Sequence, residues 1–485
     1  MSDTTTPTSE VLDERHIFSM TAEMRRSKGV TYTPLPIVEA MVRWARQHGT
    51  PRRVVDPGAG SGRFTVAAAR AFPDVEIIAI ENDPGSASVL QSNVVAHGLE
   101  RTVRVIEGDY RSVTLPPIEG RTLFIGNPPY VRHHDIDRSW KAWYAEAAAR
   151  QGLPTSKLAG LHLHFFVKTR ELAKPGDYGC LITAAEWLEV NYGATLRRLL
   201  TNGMGCLALD VFPADQPAFP DVLTTAVITC FEIGADVKDV RIGSLVQGEN
   251  EWSLAKGAAV EVGRLARSAR WSEFTVDQDE QPVECGQQRH RVGDLFRVSR
   301  GQVTGANAVW VSLDWASYLP PRCSRPTVTR AAELIAARPR LSDAGALRRV
   351  IDLPTDLVRI PRKDWERVSR FIDWAREHGA HEGYIASHRA AWWSVGLYEP
   401  APILVTYMGR RDPVFVRNIC GARHLNIAHG LYPRSRMSPS TLDKVVAWLN
   451  QNVTRRGGRT YAGGLTKFEP REIERLPLPK PEELV

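Results

Sequence analysis

Three features are scarce or missing in this 485-residue sequence, and each absence narrows its class. The six cysteines form no CxxC pair, so neither a zinc site nor a disulfide framework is expected. No run of about 18 uncharged apolar residues occurs, so no membrane-spanning helix is expected. The first residues are polar and partly acidic and lack the apolar core of a signal peptide, which indicates a cytoplasmic protein.

Positive charge is unevenly distributed along the chain. Residues 1–235 contain 24 Lys and Arg against 26 Asp and Glu, whereas residues 236–485 contain 38 against 29. Within the second half, residues 401–480 alone carry 14 basic and 5 acidic residues. This pattern indicates a near-neutral enzyme core followed by a surface that binds a polyanion. An arginine-rich genome bias is the alternative explanation.

Short apolar strands alternate with helices through the first half of the chain. Helices are predicted at 64–72, 87–97 and 164–172, and strands at 53–55, 75–80, 103–106, 122–125, 178–183, 207–212 and 223–231. The alternation predicts an α/β fold, a Rossmann-like, doubly wound sheet of seven strands.

The sequence changes character after Gly234, where segments become shorter and richer in Trp, Arg and Pro. We therefore divide the chain into a flexible tail at 1–20, a first domain at 21–235 and a second, mixed α+β domain at 236–485. The second domain has candidate strands at 295–298, 308–311 and 403–408 and candidate helices at 365–378 and 442–452.

A glycine-rich turn follows the first predicted strand. Gly58 and Gly60 permit close approach of the backbone to a ligand, and the helix behind them presents free N–H groups. Glu81 ends the next strand, where a carboxylate suits the ribose hydroxyls of an adenosine ligand. Asp56, directly before the turn, suits a cationic ligand better than a pyrophosphate. The pattern favours S-adenosylmethionine (AdoMet), a sulfonium, over a nicotinamide dinucleotide.

Two residues after the third strand fit the same ligand. The carboxylate of Asp109 can accept a hydrogen bond from the exocyclic amine of adenine, and Tyr110 can pack on the ring. The alternative interpretation of this Gly-Asp-Tyr sequence is a polar turn.

The four residues Asn127-Pro128-Pro129-Tyr130 follow the fourth strand. The prolines stiffen the backbone, so the Asn127 side-chain oxygen and the Pro128 carbonyl can point together as acceptors. Two such acceptors hold both N–H groups of a planar amine and direct its lone pair toward an incoming methyl group. Tyr130 can stack on the target ring. A carbon-5 cytosine mechanism would need a Pro-Cys pair, and none of the cysteines follows a proline.

These motifs, in this order, resemble the gamma-class (TaqI-like) N6-adenine DNA methyltransferases of restriction–modification systems. The resemblance implies that 21–235 is the AdoMet-dependent catalytic domain. It adds Asn82 and the segment Tyr32, Thr33 and Pro34 to the cofactor site, which also includes Asn127. It implies that Phe219 is the second wall of a base pocket opposite Tyr130, although packing in the core is an equally plain interpretation of this phenylalanine.

The second half resembles the target-recognition domain of the same group, in the turn at 300–307 and in the tail from Tyr461 to Pro479. Flipping a base out of duplex DNA requires a domain that grips phosphates and reads base edges. The candidate DNA contacts are Arg300, Gln302, Asn307, Arg410, Arg411 and Arg417.

The resulting expectation is a site-specific methyltransferase that modifies the N6 of a flipped-out adenine in double-stranded DNA. We expect a monomer without a metal site that acts at the bacterial or archaeal nucleoid beside a separate restriction endonuclease. Three alternatives stay open: methylation of cytosine N4, of an RNA base or of a protein glutamine. A non-enzymatic DNA-binding subunit is disfavoured because Glu81 and Asn127 are intact.

Overall fold

Two units make up the chain in the computed structural model, Met1–Val283 and Glu284–Val485. The structure describes residues 32–213, 218–219, 225–245, 252–275, 290–461 and 465–479. The predicted tail at 1–20 lies outside these ranges.

The first unit alternates helices with strands, as predicted. Its helices are α1 Leu35–His48, α2 Arg63–Ala71, α3 Pro84–Ala96, α4 Arg138–Arg150, α5 Leu161–Leu172, α6 Ala194–Thr201 and α7 Val262–Arg267. Its strands are β1 Arg53–Pro57, β2 Glu76–Glu81, β3 Val103–Glu107, β4 Thr122–Gly126, β5 Tyr178–Ala184, β6 Cys206–Val211, β7 Ala226–Glu232, β8 Asp239–Ser244 and β9 Ala258–Glu261.

One sheet contains all nine of these strands, in the order β3-β2-β1-β4-β5-β7-β6-β8-β9. The strands from β3 to β5 are parallel, and β7 is antiparallel to both β5 and β6. The chain order reverses between β1 and β4. In doubly wound sheets a ligand binds beyond the carboxyl ends of the strands at such a switch point.

Alternating side chains of the central strands bury both faces of this sheet. Val54 and Ile77 pack in one apolar cluster, which includes Met41 of α1. Their neighbours Val55 and Ile78 pack in a second cluster on the opposite face. Because both faces are covered, the central strands are continuous apolar runs, and this made them easy to predict.

Strands β8 and β9 correct two predictions. The sheet has nine strands instead of seven, and the first unit ends at Val283 rather than at 235. Val240 and Ile242 of β8 are buried in the same core as the earlier strands. The change in composition after Gly234 therefore marks the start of the last two strands of the sheet and not a domain boundary.

The second unit consists of small sheets and helices, in agreement with the predicted mixed α+β class. Its sheets have the orders β11-β19-β15-β17-β13, β14-β12-β18, β16-β21-β20 and β10-β22. The helices are α8 Val292–Leu295, α9 Asn307–Trp310, α10 Leu313–Tyr318, α11 Ala331–Ala337, α12 Arg362–Glu377, α13 Tyr384–Ser387, α14 Pro439–Asn452 and α15 Pro470–Arg475. The strands are β10 His290–Arg291, β11 Phe296–Arg300, β12 Ser324–Val328, β13 Arg340–Leu341, β14 Arg349–Ile351, β15 Ile403–Thr406, β16 Met408–Gly409, β17 Phe415–Asn418, β18 Arg423–His424, β19 Ala428–Pro433, β20 Arg459–Tyr461, β21 Leu465–Lys467 and β22 Pro477–Leu478.

The strand predicted at 308–311 is wrong, because this segment lies in the helical turn α9. The backbone N–H groups of Val309 and Trp310 both donate to the carbonyl of Ala306. The indole of Trp310 is fully buried in a core cluster of the second unit. A run of four apolar residues does not distinguish a strand from a helical turn by its periodicity.

Membrane spans and metal clusters are both absent from the described ranges. No helix there is long and apolar enough to cross a membrane. No group of three or more His, Cys, Asp or Glu side chains there could hold a metal ion.

Candidate active site

A cavity of about 570 Å³ opens beside the glycine turn of the first unit. This volume is typical of sites for small molecules and cofactors. Ten of the predicted site residues line it: Tyr32, Thr33, Gly58, Gly60, Glu81, Asn82, Asp109, Tyr110, Asn127 and Pro129. The motifs predicted from the sequence therefore meet in one continuous site.

Gly58 brings the cofactor turn against the Asn-Pro-Pro-Tyr segment. Its φ of +73° lies in the left-handed region, and a β-carbon there would stand 3.2 Å from Cδ of Pro129. A side chain at this position would therefore both strain the turn and press on Pro129. Glycine at this position allows the two motifs to approach each other.

Glu81 ties two loops to the rim of the cavity. Its carboxylate accepts hydrogen bonds from the backbone N–H groups of Gly60 and Asp83, each at 2.8 Å. Burial raises the pKa of Glu81, and the backbone donors act against that rise. A carboxylate oxygen can accept more than one hydrogen bond, so Glu81 can still receive the ribose hydroxyls for which it was predicted.

Asp56 and Pro34 are not among the residues that line the cavity, and neither are Pro128, Tyr130 and Phe219, so their predicted roles at the site stay predictions. Asp56 lies beneath the turn, where Oδ2 accepts a hydrogen bond from the Thr65 hydroxyl at 2.6 Å. Burial raises its pKa to about 7. Pro34 begins α1, and its carbonyl accepts hydrogen bonds from the N–H groups of Ile37 and Val38. Both residues support the elements that carry the site.

The predicted adenine subsite contains two residues that sequence reasoning missed. Arg111 donates to Oδ1 of Asp109 through its backbone N at 2.9 Å and its Nε at 2.8 Å, and its Nη2 lies 2.5 Å from Oδ2. The Arg111 guanidinium lies over the Trp140 ring, 3.9 Å from its centroid. Trp140 also lines the cavity. The ion pair with Arg111 fixes the orientation of the Asp109 carboxylate. An adenine amine that binds there must therefore share the carboxylate oxygens with Arg111.

Tyr110 packs against the same part of the cavity. Its ring centroid is 5.1 Å from that of Phe165, a cavity residue that was not predicted from the sequence. The hydroxyl groups of Tyr110 and Thr169 are hydrogen-bonded at 3.0 Å. The contacts with Phe165 and Thr169 thus hold the Tyr110 ring in place, as expected for an aromatic wall of the cavity.

Asn127 stands at the end of β4 and faces the cavity. Its Nδ2 donates to the hydroxyl of Thr33 at 3.1 Å. The carbonyl of Thr33 accepts from Nη1 of Arg63 at 2.7 Å, and the Arg63 guanidinium lies 5.0 Å from the centroid of the Tyr32 ring. Arg63, another residue missed from the sequence, therefore joins the Tyr32–Thr33 segment to α2.

The predicted base-pocket pair Tyr130 and Phe219 is in contact. The ring centroids are 6.0 Å apart and the planes meet at 78°, an edge-to-face arrangement. Phe219 is 3% exposed and packs with the core of the sheet. Both interpretations of Phe219 thus agree with its place, since it is buried and adjoins Tyr130.

Three of the six candidate DNA contacts are engaged within the second unit. Arg417 donates from Nη1 to the carbonyl of Pro402 at 2.7 Å, and its side chain is only 13% exposed. Nε2 of Gln302 donates to the carbonyl of Val395 at 3.2 Å, and the Thr304 hydroxyl donates to Oδ1 of Asn307. These contacts stabilise the fold, and a role of the three residues in DNA binding stays a prediction.

The other three candidates are arginines at the surface. Arg410 and Arg411 are exposed. Arg300 is 44% exposed, pairs with Glu469 and lies over the Tyr407 ring. The loop at 410–411 thus places two adjacent basic side chains at the surface, and their contacts with DNA stay a prediction.

The decisive comparison is with the type II methyltransferase M.XamI of Xanthomonas campestris pv. amaranthicola. The two proteins are 52% identical over 456 residues, which cover 94% of this chain and 86% of the relative. The chain belongs to the type II methyltransferases of restriction–modification systems. This confirms the predicted family and the cofactor, so AdoMet is the methyl donor of this DNA methyltransferase.

Family models divide the methyltransferase near the observed boundary between the two units. The Eco57I restriction-modification methylase model matches residues 120–219, and the C-terminal domain of the type II methyltransferase M.Eco57I matches 268–485. The TRM5/TYW2 methyltransferase domain matches 28–144.

More distant relatives agree with this placement. The type II methyltransferase M.AccI of Acinetobacter calcoaceticus is 21% identical over 94% of this chain and 86% of its own. The structure of the type IIL restriction-modification enzyme MmeI, determined in complex with DNA, aligns with a TM-score of 0.60 at 13% identity. This alignment covers 93% of the methyltransferase and 68% of MmeI, and it supports the fold.

Proposed function

We propose that the methyltransferase transfers a methyl group to the exocyclic N6 of an adenine flipped out of duplex DNA. The observation that carries the proposal is the Asn127-Pro128-Pro129-Tyr130 segment directly after β4, of which Asn127 and Pro129 line the cavity. An exocyclic amine is a poor nucleophile because its lone pair is delocalised into the ring. Acceptors on both N–H groups turn that lone pair toward the methyl donor.

The roles of the residues follow from this arrangement. Oδ1 of Asn127 and the carbonyl of Pro128 accept hydrogen bonds from the target amine, and Tyr130 stacks on the base. Glu81, Asn82, Asp109 and the Gly58–Gly60 turn would hold the cofactor. When bound, AdoMet supplies an electrophilic methyl group on its sulfonium, so the protein needs no covalent nucleophile.

The base pocket must open before it can admit a base. Tyr130 and Phe219 touch edge to face, with 6.0 Å between centroids. A flipped adenine can enter between Tyr130 and Phe219 only if the two rings separate. Until a base enters, the contact between the Tyr130 and Phe219 rings keeps their apolar surfaces out of water.

The second unit supplies the DNA-binding surface in this proposal. Its excess of basic residues, with Arg410 and Arg411 exposed, suits phosphate contacts. We further propose that the enzyme works as a monomer at the nucleoid, as the protective partner of a separate restriction endonuclease.

Other methyl acceptors remain testable alternatives. A stretch of 104 residues is 35% identical to the release factor glutamine methyltransferase of Xylella fastidiosa, but it covers only 21% of this chain. The M.XamI match, in contrast, covers 94% of the chain. The large basic unit therefore favours DNA over a protein glutamine.

A labelling experiment tests the proposal. The enzyme is incubated with methyl-labelled AdoMet and with duplex DNA, RNA or a cell extract, and label is counted in each fraction. We expect label in DNA and at least a hundredfold loss of it in Asn127→Ala at saturating AdoMet, with DNA affinity kept, because the variant lacks one of the two acceptors that hold the target amine. Label confined to RNA or protein, or full turnover by Asn127→Ala, would contradict the proposal.

A further inference from the structure

A chain of hydrogen bonds connects the cofactor turn to the catalytic asparagine. Arg63, the first residue of α2, donates to the carbonyl of Thr33 at 2.7 Å. The hydroxyl of the same threonine accepts from Nδ2 of Asn127 at 3.1 Å. Three parts of the chain that are distant in sequence meet at this single residue.

Thr33 is well placed to hold its neighbours in position. It is 3% exposed, so its hydroxyl does not exchange freely between protein and water. It stands directly before α1, whose first turn bonds to the carbonyl of Pro34. The carbonyl of Thr33 is fixed by Arg63, whose guanidinium also packs on the Tyr32 ring. The hydroxyl is therefore a rigid partner rather than a mobile one.

The orientation of the Asn127 amide decides whether it can act. A side-chain amide has a donor end and an acceptor end, and it rotates about a soft torsion. While Nδ2 donates to Thr33, Oδ1 is the end of the amide that can accept from the target amine. Without this hydrogen bond, the Asn127 amide could rotate. It would then present either Nδ2 or Oδ1 to the target amine, or lie out of the plane of that amine.

We propose that Thr33 is a positioning residue for methyl transfer, whose hydroxyl orients the Asn127 amide while Arg63 holds Thr33 in place. This inference rests on the proposed role of Asn127 as acceptor. It assigns to the Thr33 hydroxyl a task in the chemical step, beyond forming part of the cofactor cavity.

The test compares Thr33→Val, which removes the hydroxyl at nearly constant volume, with Thr33→Ser, which keeps it. Single-turnover methylation is measured with DNA bound and AdoMet saturating, and AdoMet affinity is measured separately by calorimetry. We expect the Val variant to transfer methyl about tenfold or more slowly, with AdoMet affinity within about threefold of wild type. The Ser variant should restore the rate to within about threefold.

A second pair of variants tests the other half of the chain of bonds. Arg63→Gln should slow the same step, and the double variant Arg63→Gln/Thr33→Val should lose little beyond Thr33→Val alone, since both act through one contact. Arg70→Gln is the matched control, because Arg70 is exposed at the end of the same helix. Its rate should equal that of wild type.

Three outcomes would overturn the inference. They are a wild-type rate in Thr33→Val, equal losses in the Ser and Val variants, and a loss in Thr33→Val explained wholly by weaker AdoMet binding. Each is distinct from failure of the proposed function, because in these cases Asn127→Ala would still abolish transfer.

Discussion

At the scale of single residues, burial decides which carboxyl groups hold a proton. Asp56 is wholly buried beneath the cofactor turn, and loss of hydration raises its pKa from 3.8 to about 7. The only bond to its side chain identified among the described atoms comes from Thr65. In the unfolded chain the same carboxyl ionises near its ordinary value, so the folded state binds the proton more tightly.

Asp56 therefore makes stability fall as pH rises. The contribution is full below the unfolded pKa and is lost progressively up to about pH 7, at about 1.4 kcal/mol per pH unit for one proton. We expect Asp56→Asn to reduce this slope, so that the free energy of unfolding of the variant relative to wild type improves by about 2 kcal/mol between about pH 5.5 and pH 7. Chemical denaturation at both pH values measures it, and parallel pH profiles would contradict the assignment.

Single residues also show why part of the site escaped sequence reasoning. Asn127 and Glu81 follow recognisable strands, so their position and chemistry could be predicted. Arg63, Arg111 and Trp140 act through contacts with residues of other motifs. Of these contacts, only the pairing of Arg111 with Asp109 could have been inferred from the sequence, because the two residues are two positions apart.

At the scale of elements, the glycine turn lies directly against the Asn-Pro-Pro-Tyr segment. Gly58 has φ +73° and faces Pro129. Gly98 has φ +65°, but a β-carbon there would meet nothing within 4 Å, and this glycine follows α3, outside the cavity. Both positions strain a side chain, but only the first would also push on the Asn-Pro-Pro-Tyr segment.

Alanine at these two glycines separates the two effects. Gly58→Ala and Gly98→Ala should each cost about 1 kcal/mol or more of stability through the left-handed backbone. Only Gly58→Ala should also slow methyl transfer, by about tenfold or more, because it shifts Pro129. Thermal melts and single-turnover rates of both variants measure this. Equal rates in the two variants would refute the role of the close approach.

Elements buried on both sides were the most predictable. Strands β1, β2, β4 and β5 lie inside the sheet and consist mostly of buried residues, and their positions agree with prediction to within two residues. Strand β9 forms the edge of the sheet and β8 lies next to it, and exposed residues alternate with buried ones along most of β8. Their weaker apolar signal explains both the missed strands and the misplaced boundary.

At the scale of the whole molecule, the two halves of the chain differ in net charge, in line with their proposed tasks of methyl transfer and DNA binding. The first half is near neutral around a cofactor cavity, and the second half carries the excess of Lys and Arg. In the second half, however, a basic residue can serve the fold instead of DNA, as the buried contact of Arg417 with Pro402 shows. Composition alone could not distinguish these two uses.

Substitutions of Arg411 and Arg417 test which basic residues of the second unit bind DNA and which stabilise the fold. We expect Arg411→Gln to weaken DNA binding and to reduce the slope of log affinity against log salt by about 1, because one phosphate contact is lost. Arg417→Gln should instead lower the melting temperature, by an amount equivalent to about 1 kcal/mol, because it removes the hydrogen bond to the Pro402 carbonyl and the ion pair with Asp443. Fluorescence anisotropy at several salt concentrations and thermal melts distinguish them. The reverse pattern would contradict the assignment.

The central claim is that the Asn127 segment methylates the amine of adenine, and nucleoside analysis tests it most directly. Duplex DNA that carries the recognition sites of the enzyme is methylated, digested to nucleosides and analysed by mass spectrometry. The account predicts N6-methyldeoxyadenosine with wild-type enzyme and none with Asn127→Ala. Detection of N4-methyldeoxycytidine instead, or of the same adenine product from Asn127→Ala, would contradict it.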